Sequence, residues 1–267
     1  MRPGSGLKTV IVCRSEKEID TLRESNQFVA EVLVALAGMV EPGISTGEMD
    51  VEAQRLILAL GGTPSFLGYH NYPKSACISV DEVIVHGIPG KRKLKEGELV
   101  SIDVGVLYGG YHGDAAVTVP CGKVDPVRKR LMDATDLSLS RAIQAARAGN
   151  HLEAISRAVQ TTVEKAGFSV VRSFVGHGIG TQMHEDPQIP NFVTGEKGPL
   201  LKPGMVLAIE PMVNVGTYEV RLLRDGWTAV TADGKPSAHF EHSVVVRENG
   251  GEILSATPKL VWGQRVA

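Results

Sequence analysis

Cysteine is scarce: Cys13, Cys77 and Cys121 are odd in number, far apart and without a Cys-x-x-Cys pair. That argues against a disulfide framework and a cysteine zinc site, and fits a reducing cytosol. Charge of one sign is missing too, the formal net charge being −2 over 267 residues. The chain therefore lacks the electrostatic footprint that nucleic acid selects, and no nucleic-acid partner is expected. Nor is there a long apolar run. Thr9-Val10-Ile11-Val12-Cys13 is stopped by Arg14, too short for the core of a secretory signal, and nothing approaches the roughly 20 residues that cross a bilayer. What is left, 43% hydrophobic and 22% charged residues, is ordinary for a globular chain able to bury a sizeable core. Its expected location is the cytoplasm, with no membrane partner.

Residues 1–14 read as a short N-terminal arm or edge strand. Ser15-x-x-Glu18 is a capping box that opens an amphipathic helix through Val29, Val32, Leu33, Leu36 and Met39, ending near Val40. After Glu41-Pro42-Gly43, Thr46 is expected to cap a second helix with apolar positions Val51, Leu56, Ile57 and Leu60, closed by Gly61-Gly62. β-branched runs at 76–80 and 83–85 follow, the second ending in His86-Gly87. Gly109-Gly110 is a two-residue hairpin signal between runs at 99–106 and 114–119. If that turn sets the register, Gly105 lies opposite Asp114. Asp103 then shares a face with Asp114 as its diagonal neighbour, at roughly 7–8 Å between backbones. Two acids on one buried face need a cation. Helical spacing over 126–148 and 152–166 then restarts the pattern. Strands are expected at 169–175, 206–213, 217–223 and 242–246, with a Pro- and Gly-rich loop from Pro187 to Pro203 and a short tail after Pro258.

The two halves, about 15–122 and 123–256, resemble each other. Leu94 to Asp103 reads without a gap against Leu201 to Glu210, and His112 to Val119 against His239 to Val246. Asp103 thus falls on Glu210 and Asp114 on Glu241, while Val85-His86-Gly87-Ile88 matches Gly176-His177-Gly178-Ile179. Each half offers one histidine and two acids in the same order, as a pseudo-twofold site between duplicated halves requires. No lysine or arginine lies close in sequence to neutralise these acids, and buried carboxylates are costly without a cation. Four carboxylates and one neutral imidazole balance two divalent ions. Such paired ions lower the pKa of a shared water and polarise a carbonyl, so hydrolysis is the implied reaction class. Oxygen-rich ligands with a single histidine suit Mn, Fe, Co or Zn.

These residues resemble the type I methionine aminopeptidases. The likeness runs from about Ser15 to Ala256 on specific motifs: Gly68-Tyr69-His70 with Tyr72-Pro73-Lys74-Ser75, Val85-His86-Gly87-Ile88-Pro89, Asp103 and Asp114, Gly176 to Pro187, Ile209-Glu210-Pro211, and Phe240-Glu241-His242. The resemblance implies an α+β pita-bread fold: two pseudo-twofold halves of antiparallel sheet, covered by two helix pairs, within a single catalytic domain at 15–267. It implies removal of the initiator methionine from nascent polypeptides with a small second residue, by a ribosome-associated monomer. Asp103 would chelate one metal, Asp114 and Glu241 would bridge both, and His177 and Glu210 would complete the second. His184 would stabilise the oxyanion, His86 would contact the amide nitrogen that follows methionine, and Glu210 would shuttle the proton. The methionine slot would be lined by Phe66, Tyr69, Tyr72, Cys77, Met183 and Trp227, with His70 beside it. Phe66 stands where a smaller residue is usual, and Met183 where an aromatic is usual. A monovalent cation site is implied near Asp81, Val83 and Ser237, with Asp81 in place of a more usual Asn. The rival readings are a proline-specific peptidase of the same fold, which usually carries an extra N-terminal domain, and a non-catalytic binding module, which the intact ligand set disfavours.

Other residues keep plain readings. His112, His151, His239 and His242 are expected to be exposed or structural, Cys77 taken alone is a core thiol, and Lys91-Arg92-Lys93-Leu94-Lys95 is a solvated loop.

Overall fold

Each run of strands is preceded by a pair of helices. In the computed structural model, which describes residues 11–256, α1 (Glu16–Gly38) and α2 (Thr46–Ala59) lead into β1 (Thr63–Pro64), a 3-10 turn (Tyr69–Asn71), β2 (Ala76–Val80), β3 (Val83–Val85), β4 (Leu99–Tyr108) and β5 (Tyr111–Pro120). Next come α3 (Pro126–Ala145), α4 (Glu153–Lys165), β6 (Ser169–Val170), β7 (Gly176–Gly178), β8 (Glu185–Ile189), β9 (Val206–Ile209) and β10 (Met212–Asn214). The chain continues through β11 (Val220–Leu222), β12 (Ala229–Thr231), β13 (Ser237–His239), β14 (Glu241–Arg247) and β15 (Gly250–Ile253). Most of the expected arm and the tail after Pro258 lie outside the described residues; Cys13, at the arm's end, bridges to Met205.

The capping box at Ser15 and Glu18 opens α1 as expected. For α2 the cap is Ser45 rather than Thr46. Ser45 Oγ accepts the Glu48 amide at 3.2 Å and Glu48 Oε2 accepts the Ser45 amide at 2.8 Å, a reciprocal pairing that only the residue three before a glutamate can make. Thr46 instead accepts the Gly90 amide at 2.9 Å, tying α2 to the loop before β4. Val51 is also misassigned. It is 66% exposed, because the buried face of α2 is set by Met49, Ala53 and Ile57 at a spacing of four.

The main sheet runs β1-β4-β5-β14-β9-β7-β8, with β2 also paired to β4 and β15 to β14. The hairpin register is the one Gly109-Gly110 dictates, Gly105 opposite Asp114 and Asp103 opposite Ala116. Strands matched by the repeat hold mirrored places: β4 and β9 flank the adjoining β5 and β14. One apolar core runs from Val29 on α1 through Ile102 and Val117 of the hairpin to Leu139 on α3 and Val159 on α4. Each such side chain contributes roughly 1.5–3 kcal/mol on burial.

Several strands are shorter than expected. The run at 206–213 is cut at Glu210-Pro211 into β9 and β10, where proline has no amide to donate to the ladder. The run at 169–175 stops after Val170, and the next residues carry Phe174 onto the His86 ring, 5.3 Å between centroids. Conversely, β8 runs from Glu185 into the first residues of what the sequence marks as a loop from Pro187.

Candidate metal centre

Five strands bring the acids and one histidine together. Asp103 and Asp114 come from the β4–β5 hairpin, and Glu241 opens β14 opposite Ala116 of β5. Glu210 follows the last residue of β9, and His177 sits in β7 opposite Ala208. β7 can lie this close to both neighbours because glycines flank the histidine. A β-carbon at Gly176 would strike the Ala208 carbonyl, and one at Gly178 the Asp186 carbonyl.

His177 Nε2 lies 3.8 Å from Asp114 Oδ2 and 3.6 Å from Glu210 Oε1. These gaps are too long for hydrogen bonds and suit donors arranged around an ion. Asp114, His177 and Glu241 offer three ligand atoms within 4.8 Å of one another. His177 Nδ1 is 2.8 Å from the Gly178 carbonyl; a carbonyl only accepts, so Nδ1 carries the proton and Nε2 presents its lone pair to the carboxylates. Among the described residues, Asp103 Oδ1, Asp114 Oδ1 and Glu241 Oε1 are buried without a hydrogen-bond partner. An oxygen-rich set with one imidazole and unsatisfied acid oxygens fits divalent cations.

The electrostatics agree. Burial pushes Asp103 up to about 7. It also raises Asp114, helped by the charges of Asp103 and Glu210, and Glu210, helped by Asp103. Glu241 is raised by burial first and then by Asp114, Glu210 and Asp103. Burial and then His184 push His177 down to about 3, against the Gly178 carbonyl, so its imidazole is neutral. Four acids that repel one another cannot all ionise here without cations.

These groups line one cavity of about 380 Å³ together with Phe66, Tyr69, His70, Tyr72, Cys77, His86, Met183, His184 and Trp227. Cavities of about 490 Å³ beside Arg141 and Lys197, and about 570 Å³ beside Ile11 and Pro187, are larger. Among the described residues, neither brings an unpartnered buried polar atom to its wall. Tyr72 donates its hydroxyl toward the Ala76 and Gly87 carbonyls at 3.2 and 3.1 Å, and the Trp227 ring packs on it 5.1 Å away. Cys77 sits opposite Asp103 in the β2–β4 ladder, its thiol pushed up by burial and then by the Asp103 charge. Phe66 packs against Gly105, Met183 is buried, and the His70 ring lies 4.4 Å from that of Tyr69.

His86 has a left-handed backbone, φ 59°, which turns it out of the strand end; its ring stands 5.9 Å from Trp227. Burial and then His184 lower it to about 4. His184, at the exposed edge of the cavity, has Nδ1 2.6 Å from Tyr69 Oη and its ring 4.3 Å from that of His177. Its pKa is lowered by burial, then by His70 and His112.

The turn bearing Met183 and His184 is held from a distance. Arg14 donates two hydrogen bonds to Glu185, at 2.7 and 2.6 Å, and Glu185 accepts the Gln182 amide at 3.1 Å. Arg14→Met keeps the side-chain stem and leaves Glu185 without its cation. It is expected to lower kcat/KM about tenfold through misplacement of His184 and stability by roughly 2–3 kcal/mol, with bound metal unchanged. Peptide kinetics, metal analysis and hydrogen exchange over 180–186 check this, and unaltered exchange there would contradict it.

At the expected cation site, the Asp81 carboxylate is taken by Arg128, at 2.9 and 3.1 Å, and by the Leu99 amide at 3.1 Å. The Asp81 carbonyl accepts the Ser237 amide at 2.8 Å, and Val83 pairs with Val230.

The plain reading of the other histidines needs one correction. His151 is exposed, with Nδ1 3.1 Å from the Gly198 carbonyl; His112 and His242 make structural contacts to Ser65 and Ser255, each at 2.8 Å. His239, however, is 2% exposed and faces the acids, Nε2 lying 3.8 Å from Glu210 Oε2 and 4.0 Å from Glu241 Oε2. The spacing His239-x-Glu241 carried the signal, since residues two apart on extended backbone share a face.

The model of metallopeptidase family M24 matches residues 20–248. Methionine aminopeptidase 1 of Bacillus subtilis (strain 168) is 50% identical over 246 residues, covering 92% of this chain and 99% of that protein. The crystal structure of methionine aminopeptidase from Thermotoga maritima superposes with a TM-score of 0.91 at 42% identity, covering 93% of this chain and all of that one. A prolidase from Pyrococcus furiosus, at 20% identity and a TM-score of 0.75 over 92% of this chain and 66% of its own, shares the fold alone.

Proposed function

The chain belongs to metallopeptidase family M24 as a methionine aminopeptidase, a metal-using hydrolase with the pita-bread fold, and from that premise we propose how its residues divide the work. Asp103, Asp114, His177, Glu210 and Glu241 hold two divalent ions, drawn from Mn, Fe, Co and Zn. The observation that carries this is the set of carboxylate oxygens left unpartnered in front of a neutral imidazole. Bound there, such ions polarise a carbonyl and make water a better nucleophile near neutral pH.

The remaining steps belong to the protein. Tyr69, kept protonated by burial, donates to His184 Nδ1, which leaves Nε2–H free to hydrogen-bond the scissile amide and the oxyanion. Neutral His86 receives the amide of the second residue, and Glu210 takes a proton and returns it to the leaving nitrogen. Phe66, Tyr69, His70, Tyr72, Cys77, Met183 and Trp227 form a slot for an unbranched apolar side chain.

The substrate is the N-terminus of a nascent polypeptide with a small second residue, met by a cytoplasmic, ribosome-associated monomer. Residues 15–267 form one catalytic domain, with halves at 15–122 and 123–256 and an arm at 1–14; the core shared by both helix pairs supports this. A monovalent cation beside Asp81, Val83 and Ser237 is the lesser part of the proposal, since Arg128 already neutralises Asp81. A peptide panel with Mn²⁺-, Fe²⁺-, Co²⁺- or Zn²⁺-loaded protein tests the assignment. Met-Ala-Ser is expected to be cleaved and Met-Lys-Ser and Xaa-Pro peptides spared. Exclusive cleavage of the proline peptides would overturn the substrate, and inert, metal-verified protein would favour a binding module.

A further inference from the structure

The Glu210 carboxylate lies between two imidazoles: Oε1 is 3.6 Å from His177 Nε2, and Oε2 is 3.8 Å from His239 Nε2. The His239 backbone is fixed in place. Its amide donates to Thr118 Oγ1 at 2.9 Å, its carbonyl accepts from the same hydroxyl at 2.8 Å, and it pairs with Met212 of β10. Its Nε2 is buried without a hydrogen-bond partner among the described residues, a costly state for a polar nitrogen. The atoms in front of it are carboxylate oxygens of Glu210 and Glu241, which accept when ionised. A neutral imidazole carries one proton, and this environment favours it on Nε2.

We propose that His239 is a positioning residue of the metal centre, presenting Nε2–H to the carboxylates of Glu210 and Glu241 and holding them oriented as ligands. The gaps exceed a hydrogen bond by roughly 1 Å, which a turn of either carboxylate closes. The neighbours of His239 Nε2 are the carboxylates of Glu210 and Glu241, so its place in the proposal is behind these two ligands. Carboxylates that bind metals are themselves held by such hydrogen bonds, and losing one typically weakens metal affinity about 10–100-fold.

The proposal rests on Glu210 and Glu241 being ligands, and the test separates the two. Metal-free wild type, His239→Ala, His239→Gln and His239→Phe are titrated with Mn²⁺ by calorimetry, and kcat and KM are measured on Met-Ala-Ser. His239→Ala is expected to bind Mn²⁺ about 10–100-fold more weakly and to lose kcat with KM little changed. His239→Gln, whose amide can donate, recovers most of both. Wild-type Mn²⁺ affinity in His239→Ala, or a glutamine variant no better than alanine, overturns the proposal. If the alanine variant does not fold, His239→Phe fills the space without a donor, and equal affinities in the Phe and Gln proteins overturn it as well. Wild type that binds no Mn²⁺ would instead defeat the ligand assignment.

Discussion

Asp114→Asn is expected to abolish hydrolysis of Met-Ala-Ser and, in the metal-free protein near neutral pH, to raise the melting temperature. Both follow from the same placement. Asp114 is 3% exposed, its Oδ1 has no partner among the described residues, and Asp103 and Glu210 crowd it with like charge. On the proposed assignment an asparagine loses a negative ligand shared by the two ions, while its amide can donate to the neighbouring carboxylates. Removing a mutually repelling buried charge is expected to stabilise the metal-free fold by a few kcal/mol, on the order of 5–10 °C for a domain this size. The pH dependence has a definite sign. With Asp103 at about 7 when folded, against 3.8 for the ordinary carboxyl, the folded metal-free protein binds more protons than the unfolded chain between those values. Its stability therefore falls as pH rises through that window. Divalent ions favour the ionised acids, so the loaded protein loses stability as pH falls. Thermal unfolding with chelator and with Mn²⁺, at about pH 5 and about pH 8, reads both slopes; parallel slopes would contradict the metal assignment.

His184→Ala is expected to lower kcat about 10²–10³-fold, the usual loss when an oxyanion donor goes, while leaving metal affinity within about twofold. His184 touches His177 only through its ring, 4.3 Å between centroids, and Tyr69 orients it, so its removal takes a donor from the cavity edge and no ligand from the floor. His86→Ala shares the pattern with a smaller loss of kcat, because its ring meets Phe174 and Trp227 and not the acids. Asp103→Ala must show the opposite division, weakened metal binding first and lost activity as its consequence. Stopped assays with parallel metal titrations distinguish the two classes, and a histidine variant that sheds its metals would refute the division.

The centre of the fold was legible because local chemistry left few choices. A two-residue Gly109-Gly110 turn permits one register, and that register puts Asp103 and Asp114 on one face. The Ser15–Glu18 box was equally local, whereas at α2 two adjacent hydroxyl residues compete and only Glu48 decides for Ser45. The cavity wall was legible through family resemblance and not through periodicity. Phe66, Cys77, Met183 and Trp227 come from separate segments whose meeting depends on tertiary packing. His239 escaped for a related reason. Taken singly a histidine is more often exposed or structural, and the contacts that bury this one come from Thr118 and Met212, far away in sequence.

The seam where β5 meets β14 has a further consequence. Its register is short, Glu241 with Ala116 and His242 with Ala115, and the acids stand on either side of it, Asp114 on β5 and Glu241 on β14. An ion held by both would bind the folded chain and not the unfolded one, so its binding free energy would add to the stability of the fold. With the acids as ligands, cofactor supply would govern how long the folded molecule persists, and metal starvation would shorten its lifetime as well as silence it.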